Sequence, residues 1–171
     1  NYSEMRERIP KLFAGIMEGS QRIQQIVDDL KNFVRKGSQD MTEPVDINKV
    51  IKSAVSLVSP MIKKSTHHFK IEYSKELPPL TGNFHRLEQV IINLIQNACQ
   101  ALLDPKKGIF IVTSLDEKEK KILIKIEDQG IGIPPESLPH VTNTFFSTKY
   151  ESGGLGLGLS ISSKIIEEHG E

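Results

Sequence analysis

Asn93 and Asn97 stand four residues apart in the stretch QVIINLIQNACQAL, residues 89–102. Val90, Ile91, Leu94, Ile95, Ala98 and Leu102 recur at helical spacing, so the two asparagines lie one turn apart and share a side. Asparagine is a mediocre helix former, because its amide competes for backbone hydrogen bonds. Two of them in one helix either satisfy polar neighbours or face a polar ligand. A carboxamide oxygen suits a magnesium ion that also holds phosphate oxygens, since magnesium takes oxygen donors and few protein groups. Further on, DQGIGIP places Asp128 just after a strand, before Gly130 and Gly132. A carboxylate there can accept a hydrogen bond from an amino group such as that of adenine. The same Asp–Gly spacing also occurs in ordinary turns. GGLGLGLS then brings Gly153, Gly154, Gly156 and Gly158 to the start of a helix, where bare amides and the dipole favour phosphate. Neither the dinucleotide glycine pattern nor a P-loop ending is present. Between the clusters, TNTFFSTK offers Phe145 and Phe146 as loop anchors and Lys149 as a point charge for phosphate.

The elements that position these residues follow from periodicity. Ile9, Ile16, Ile23 and Leu30 repeat every seven residues within 9–36, which predicts a long amphipathic helix with Pro10 near its start and Gly37 at its stop. Such a stripe needs a partner helix, and GSQDMTEP separates it from the rest as a linker. Asp46 is a good N-cap for a helix carrying Ile47, Val50, Ile51, Ala54, Val55 and Val58, and Pro60 is expected to kink or end it. HFKIEYS alternates as a strand, ELPPLTGN reads as a loop, and the asparagine helix covers about 84–103. IFIVTSL and KILIKIEDQ read as hairpin strands around the charged turn DEKEK, with Ile122, Ile124 and Ile126 on one face. A last helix covers about 156–169. Helix, strand, helix, strand, strand, loop, helix predicts an α+β fold, a two-layer sandwich with helices on one face of the sheet.

The totals exclude several classes. The chain has 171 residues, 37% hydrophobic and 26% charged, with a formal net charge of +0. That is ordinary globular composition and predicts no nucleic-acid partner and no membrane-surface patch. A single cysteine, Cys99, excludes a disulfide framework and fits a cytoplasmic setting, where it acts as a small buried hydrophobe. No apolar run approaches the roughly 18 residues of a membrane span. Both ends look cut from a longer parent, which is itself free to be membrane-anchored.

NLIQNACQAL, DQGIGIP, FFSTK and GGLGLGLSI resemble, in that order, the N, G1, F and G2 boxes of the bacterial sensor histidine kinases. These kinases share a superfamily, and a Bergerat-type ATP-binding fold, with gyrase, the heat-shock chaperone ATPases and the mismatch-repair ATPases. The resemblance covers nearly the whole chain. Residues 1–40 resemble the second helix of a dimerisation and phosphoacceptor hairpin, and 41–171 a catalytic ATP-binding domain that stops before its last strands.

The resemblance implies ATP and Mg2+ as cofactors, with Asn97 on the metal and Asn93 and Ala101 along the same wall. It implies Asp128 on the adenine amino group, with Gly130 and Gly132 lining the base. Gly154, Gly156 and Gly158 would approach the phosphates, and residues 134–153 would form a lid carrying Lys149. It implies a homodimer through helix 9–36 and a response-regulator receiver domain as partner. The superfamily's ATPases carry a glutamate one turn before the magnesium asparagine. Asn93 stands in that place and cannot act as a general base, so no catalytic acid or base is assigned. Thr142 and Thr144 replace the phenylalanine and proline that usually begin the F box, and Leu155 replaces a common threonine. None of His67, His68, His85, His140 and His169 lies in a phosphoacceptor motif, so each is expected to be an ordinary surface or capping residue. The implied function is transfer of the γ-phosphate to a histidine absent from this chain. The alternatives are a degenerate nucleotide-binding scaffold and an anti-sigma-type serine kinase.

Overall fold

The computed structural model describes residues 43–147 and 156–170, with scattered positions between 9 and 27. The heptad stretch at 9–36 otherwise lies outside the described residues. Its described positions Ile9, Leu12, Phe13, Ile16 and Met17 are helical, and their apolar side chains are exposed.

The main unit contains β1 (Glu43–Val45), α1 (Ile47–Ser65), β2 (His68–Glu72), β3 (Leu80–Gly82), α2 (Phe84–Ala101), β4 (Gly108–Asp116), β5 (Lys121–Asp128) and α3 (Gly158–Glu168), with one 3-10 turn at Leu138–His140. A three-stranded sheet in the order β2-β4-β5 forms one layer. Its inward side chains are Phe69 and Ile71 from β2, Ile109 and Ile111 from β4, and Ile122, Ile124 and Ile126 from β5. They meet Ile47, Val50, Ile51 and Ala54 of α1 and Leu87, Ile91 and Ile95 of α2. Ile51, Ile95, Ile109 and Ile111 are completely buried. Each contributes roughly 1.5–3 kcal/mol of apolar burial. The expected two-layer α+β sandwich is the observed fold.

Helix starts follow local chemistry. Asp46 Oδ1 accepts from the Asn48 and Lys49 backbone N–H groups at 2.9 and 3.3 Å, capping α1. Asn83 Oδ1 accepts from the Arg86 N–H at 3.1 Å, capping α2. Both satisfy donors that a helix start leaves without partners. Thr113, polar on the inner face of β4, is also satisfied. Its hydroxyl donates to Asn48 Oδ1 at 3.1 Å and accepts from the Ser74 N–H at 2.9 Å.

The structure corrects two expectations. Pro60 does not end α1, which continues to Ser65. The carbonyl that loses its partner belongs to Ser56, and both residues are on the exposed side, where solvent is free to satisfy it. The segment ELPPLTGN is not all loop, nor is GSQDMTEP all linker, since Glu43 and Pro44 at its end join Val45 in a strand. They pair antiparallel as β3 and β1, with Glu43 opposite Gly82 and Val45 opposite Leu80. Strands of three residues are too short to carry a period. β2, whose orientation the sequence left open, joins the sheet parallel to β4, with Phe69 opposite Ile109 and Ile71 opposite Ile111. Only β4 and β5 form the expected antiparallel hairpin. The parallel pair needs a long crossover, and α2 lies within it.

Cys99 is buried on α2. Burial pushes its thiol up from the ordinary value, against a weaker lowering by a hydrogen bond from Ser65. The protonated thiol is a poor nucleophile. A thiol-alkylating reagent at neutral pH is therefore expected to modify the folded chain at least about tenfold more slowly than the urea-unfolded chain. Equal rates would show that the helix exposes its inner face.

Candidate nucleotide site

Three residues of α2 at four-residue intervals, Asn93, Asn97 and Ala101, line one face and lead to the two glycine clusters. At one end, the Asn93 side-chain amide donates to the Gly158 carbonyl at 3.3 Å and to the Ser162 hydroxyl at 3.4 Å. The Ser162 hydroxyl, on a buried side chain, in turn donates to the same carbonyl at 2.8 Å. The N-terminus of α3 is thereby held to the middle of α2. At the other end, the Ile131 N–H donates to the Ala101 carbonyl at 3.1 Å, which docks the first glycine loop on the end of α2. Eight residues at about 1.5 Å each separate the two docking points by about 12 Å. Asn97 lies between them, half-buried, and its amide makes no hydrogen bond among the described residues. Asn93 is thus occupied by the protein, whereas Asn97 is available to a ligand.

Asp128 ends β5. Its Oδ1 accepts from the Gly130 N–H at 2.9 Å, which shapes the turn and leaves the other carboxylate oxygen to the exposed side. Gly130 is a glycine because of packing. A Cβ there would lie 2.6 Å from both Cβ and the carbonyl oxygen of Ala101. Gly132 needs its freedom for φ +71°. Gln129, which the sequence reading did not single out, steadies the same loop. Its side-chain oxygen accepts from the Gly108 N–H at 2.9 Å, and its own N–H donates to the Gly108 carbonyl at 3.1 Å.

The second cluster is held differently. Leu157 is buried with Val90, Ile161 and Ile165, and it anchors the start of α3. Among the described residues, no side chain caps that start. Its first-turn N–H groups are left for solvent or an anion. Gly156 has φ +67°, and its carbonyl accepts from the Phe145 N–H at 3.1 Å. The Phe146 ring lies 5.7 Å from the His140 ring. The loop thus meets the second cluster through the Phe145 backbone, while the Phe145 side chain is exposed and the Phe146 ring packs on His140 within the loop. Lys149, Gly153, Gly154 and Leu155 lie outside the described residues. Among the described residues, no group of three His, Cys, Asp or Glu side chains could hold a metal. A magnesium ion here would rest on the Asn97 amide oxygen and on phosphate. That donor set fits a small cation that keeps most of its water.

His169 is the C-cap residue of α3, in keeping with the expectation of a surface or capping role, and it does more. The structure makes it a bridge between α3 and the start of α2, with the Asn83 N–H donating to its Nε2 at 3.0 Å. No spacing in the sequence links positions 86 residues apart.

Residues 82–171 match the family model described as histidine kinase-, DNA gyrase B-, and HSP90-like ATPase. The chain belongs to this family. It is 38% identical over 154 residues to a sensor protein of Shewanella frigidimarina (strain NCIMB 400), covering 90% of this chain and 23% of that one. It is 33% identical over 172 residues to the sensory histidine kinase/phosphatase NtrB of Rhizobium meliloti (strain 1021), covering 91% of this chain and 43% of that one. Among solved structures, the nucleotide-free catalytic domain of histidine kinase ThkA superposes with a TM-score of 0.64 at 31% identity, covering 74% of this chain and 80% of that one. The chain thus spans less than half the length of these sensor relatives and most of the catalytic domain. No helix among the described residues is long and apolar enough to cross a membrane.

Proposed function

We propose that this chain is the catalytic region of a sensor histidine kinase, binding Mg-ATP along α2 and presenting the γ-phosphate to a histidine outside the chain. The observation that carries this reading is the Asn97 amide, unpaired among the described residues and placed between the Asp128 loop and the start of α3, which no described side chain caps. The free Asp128 oxygen would accept from the adenine amino group, with Gly130 and Gly132 beside the base. The first-turn N–H groups of α3 at Gly158, together with Gly154, Gly156 and Lys149, would meet the phosphates. Asn97 would hold Mg2+, which when bound supplies charge neutralisation at the phosphate oxygens. Catalysis is then positioning and electrostatics. Asn93 cannot take a proton from water. A neutral imidazole needs no such base, which favours histidine over water as the acceptor.

In this reading, residues 1–40 are the second helix of a dimerisation hairpin and 41–171 the catalytic domain. The exposed apolar side chains of Ile9, Leu12, Phe13, Ile16 and Met17 support a homodimer through 9–36. The receiver domain of a response regulator would take the phosphoryl group onward, in the cytoplasm where ATP is found.

The test is a calorimetric titration with ATP and ADP, with and without magnesium. Saturable binding is expected, tighter for ATP when magnesium is present, and Asn97→Ala should abolish that gain. No binding up to millimolar nucleotide would overturn the reading. In a longer chain that includes the first hairpin helix, label from the γ-phosphate should be acid-labile, as phosphohistidine is. Acid-stable label would move the assignment to a serine kinase.

A further inference from the structure

His169 sits just past the end of α3, and three observations converge on it. Its Nε2 accepts from the Asn83 backbone N–H at 3.0 Å, and its Nδ1 lies 2.6 Å from the Ile165 carbonyl. A backbone N–H can only donate and a carbonyl can only accept. This geometry calls for an acceptor at Nε2 and a donor at Nδ1, the Nδ1–H tautomer. A Cβ at Gly82 would lie 2.5 Å from the imidazole Cδ2, so the β3–α2 junction is shaped around this ring. Beside it, Arg86 of α2 and Glu168 of α3 form an ion pair.

We infer that His169 is a positioning residue for the start of α3, keying that helix to the N-cap of α2. The inference rests on the nucleotide reading of the site for its functional consequence. The two helices run antiparallel, because Arg86 meets Glu168 while Asn93 meets Gly158. The eleven residues of α3 act as one stiff rod. A slip at the His169 end moves Gly158 relative to Asn97 at the other end. The Asn93 bonds to Gly158 and Ser162, at 3.3 and 3.4 Å, are long, and the apolar packing of Leu157 beside them is non-directional, so neither fixes a fine register. The ion pair is partly exposed and sets no fine register. The imidazole, accepting on one side and donating on the other, does.

The test uses side chains that keep one half of the bridge. Glutamine carries an oxygen to about the reach of Nε2 and retains the acceptor for Asn83. Alanine removes both bonds. Nitrogen-detected NMR of the unliganded chain should show His169 as the neutral Nδ1–H tautomer. His169→Ala should displace the Gly158 amide resonance and weaken ATP binding about three- to tenfold, the loss of one or two net hydrogen bonds. His169→Gln should restore both. An Nε2–H or doubly protonated ring overturns the inference, as does a Gly158 resonance unmoved in His169→Ala. If the unaltered chain binds no nucleotide, the kinase reading falls. The Gly158 resonance still judges the bridge in that case.

Discussion

Replacing Gly156 with alanine is expected to abolish most nucleotide binding while leaving the α1–α2–sheet core folded. The residue holds φ +67°, a conformation that costs an L side chain about 1–2 kcal/mol. The added Cβ would also fall inside the contact distance of the Phe146 backbone carbonyl, which has no flexible end to move. The turn must open, and the Phe145 N–H bond to the Gly156 carbonyl opens with it. This turn is the approach to the start of α3. ATP affinity should therefore fall at least about tenfold, equivalent to about 1.4 kcal/mol, in a calorimetric titration. Gly158→Ala is the control for stability. Its Cβ would meet only the Asn93 amide at 3.9 Å, and its helical φ is ordinary. Its thermal midpoint should match that of the unaltered chain. Equal ATP affinity for Gly156→Ala and the unaltered chain would separate this turn from the site.

Asp128→Asn tests the base end with little steric change. The asparagine oxygen can still accept from the Gly130 N–H, as Asp128 Oδ1 does at 2.9 Å, so the turn is kept. The free oxygen becomes an NH2 group, and an acceptor becomes a donor. Against an adenine amino group, two donors then face each other. The loss of a charged acceptor and the unsatisfied pair cost about 1–3 kcal/mol, which is roughly five- to 150-fold in affinity. The loss should be seen with ADP as with ATP and should not depend on magnesium, since Asp128 stands at the far end of α2 from α3. Unchanged affinity would remove Asp128 from the site. A loss seen only with magnesium would place the carboxylate at the metal.

The helices and the hairpin were legible because each buries one face, and a single buried face imposes a period of 3.6 or of two on its own residues. Ile47 to Val58 and Ile122 to Ile126 show this directly, and Asp46 marks its helix start by the bond it makes to Asn48. The site residues were legible as types at spacings. Asn93 and Asn97 share a face because any helix puts them there. What the two do was not legible. Asn93 is turned to α3, whose first turn packs against it, whereas Asn97 makes no hydrogen bond among the described residues.

Sequence alone determined the fold class, the order of the four segments that resemble the kinase boxes, and the absence of a base one turn before Asn97. Each of these is a property of residues close along the chain, or of which residues are present at all. Only the tertiary structure decided the pairing of β1 with β3, the parallel entry of β2 and the reason Gly130 must be a glycine. It also decided the bridge from His169 to Asn83, 86 residues apart. These depend on which surfaces meet after the chain folds back on itself. Complementary shape and a donor opposite an acceptor leave no period in either partner, so neither segment announces the other.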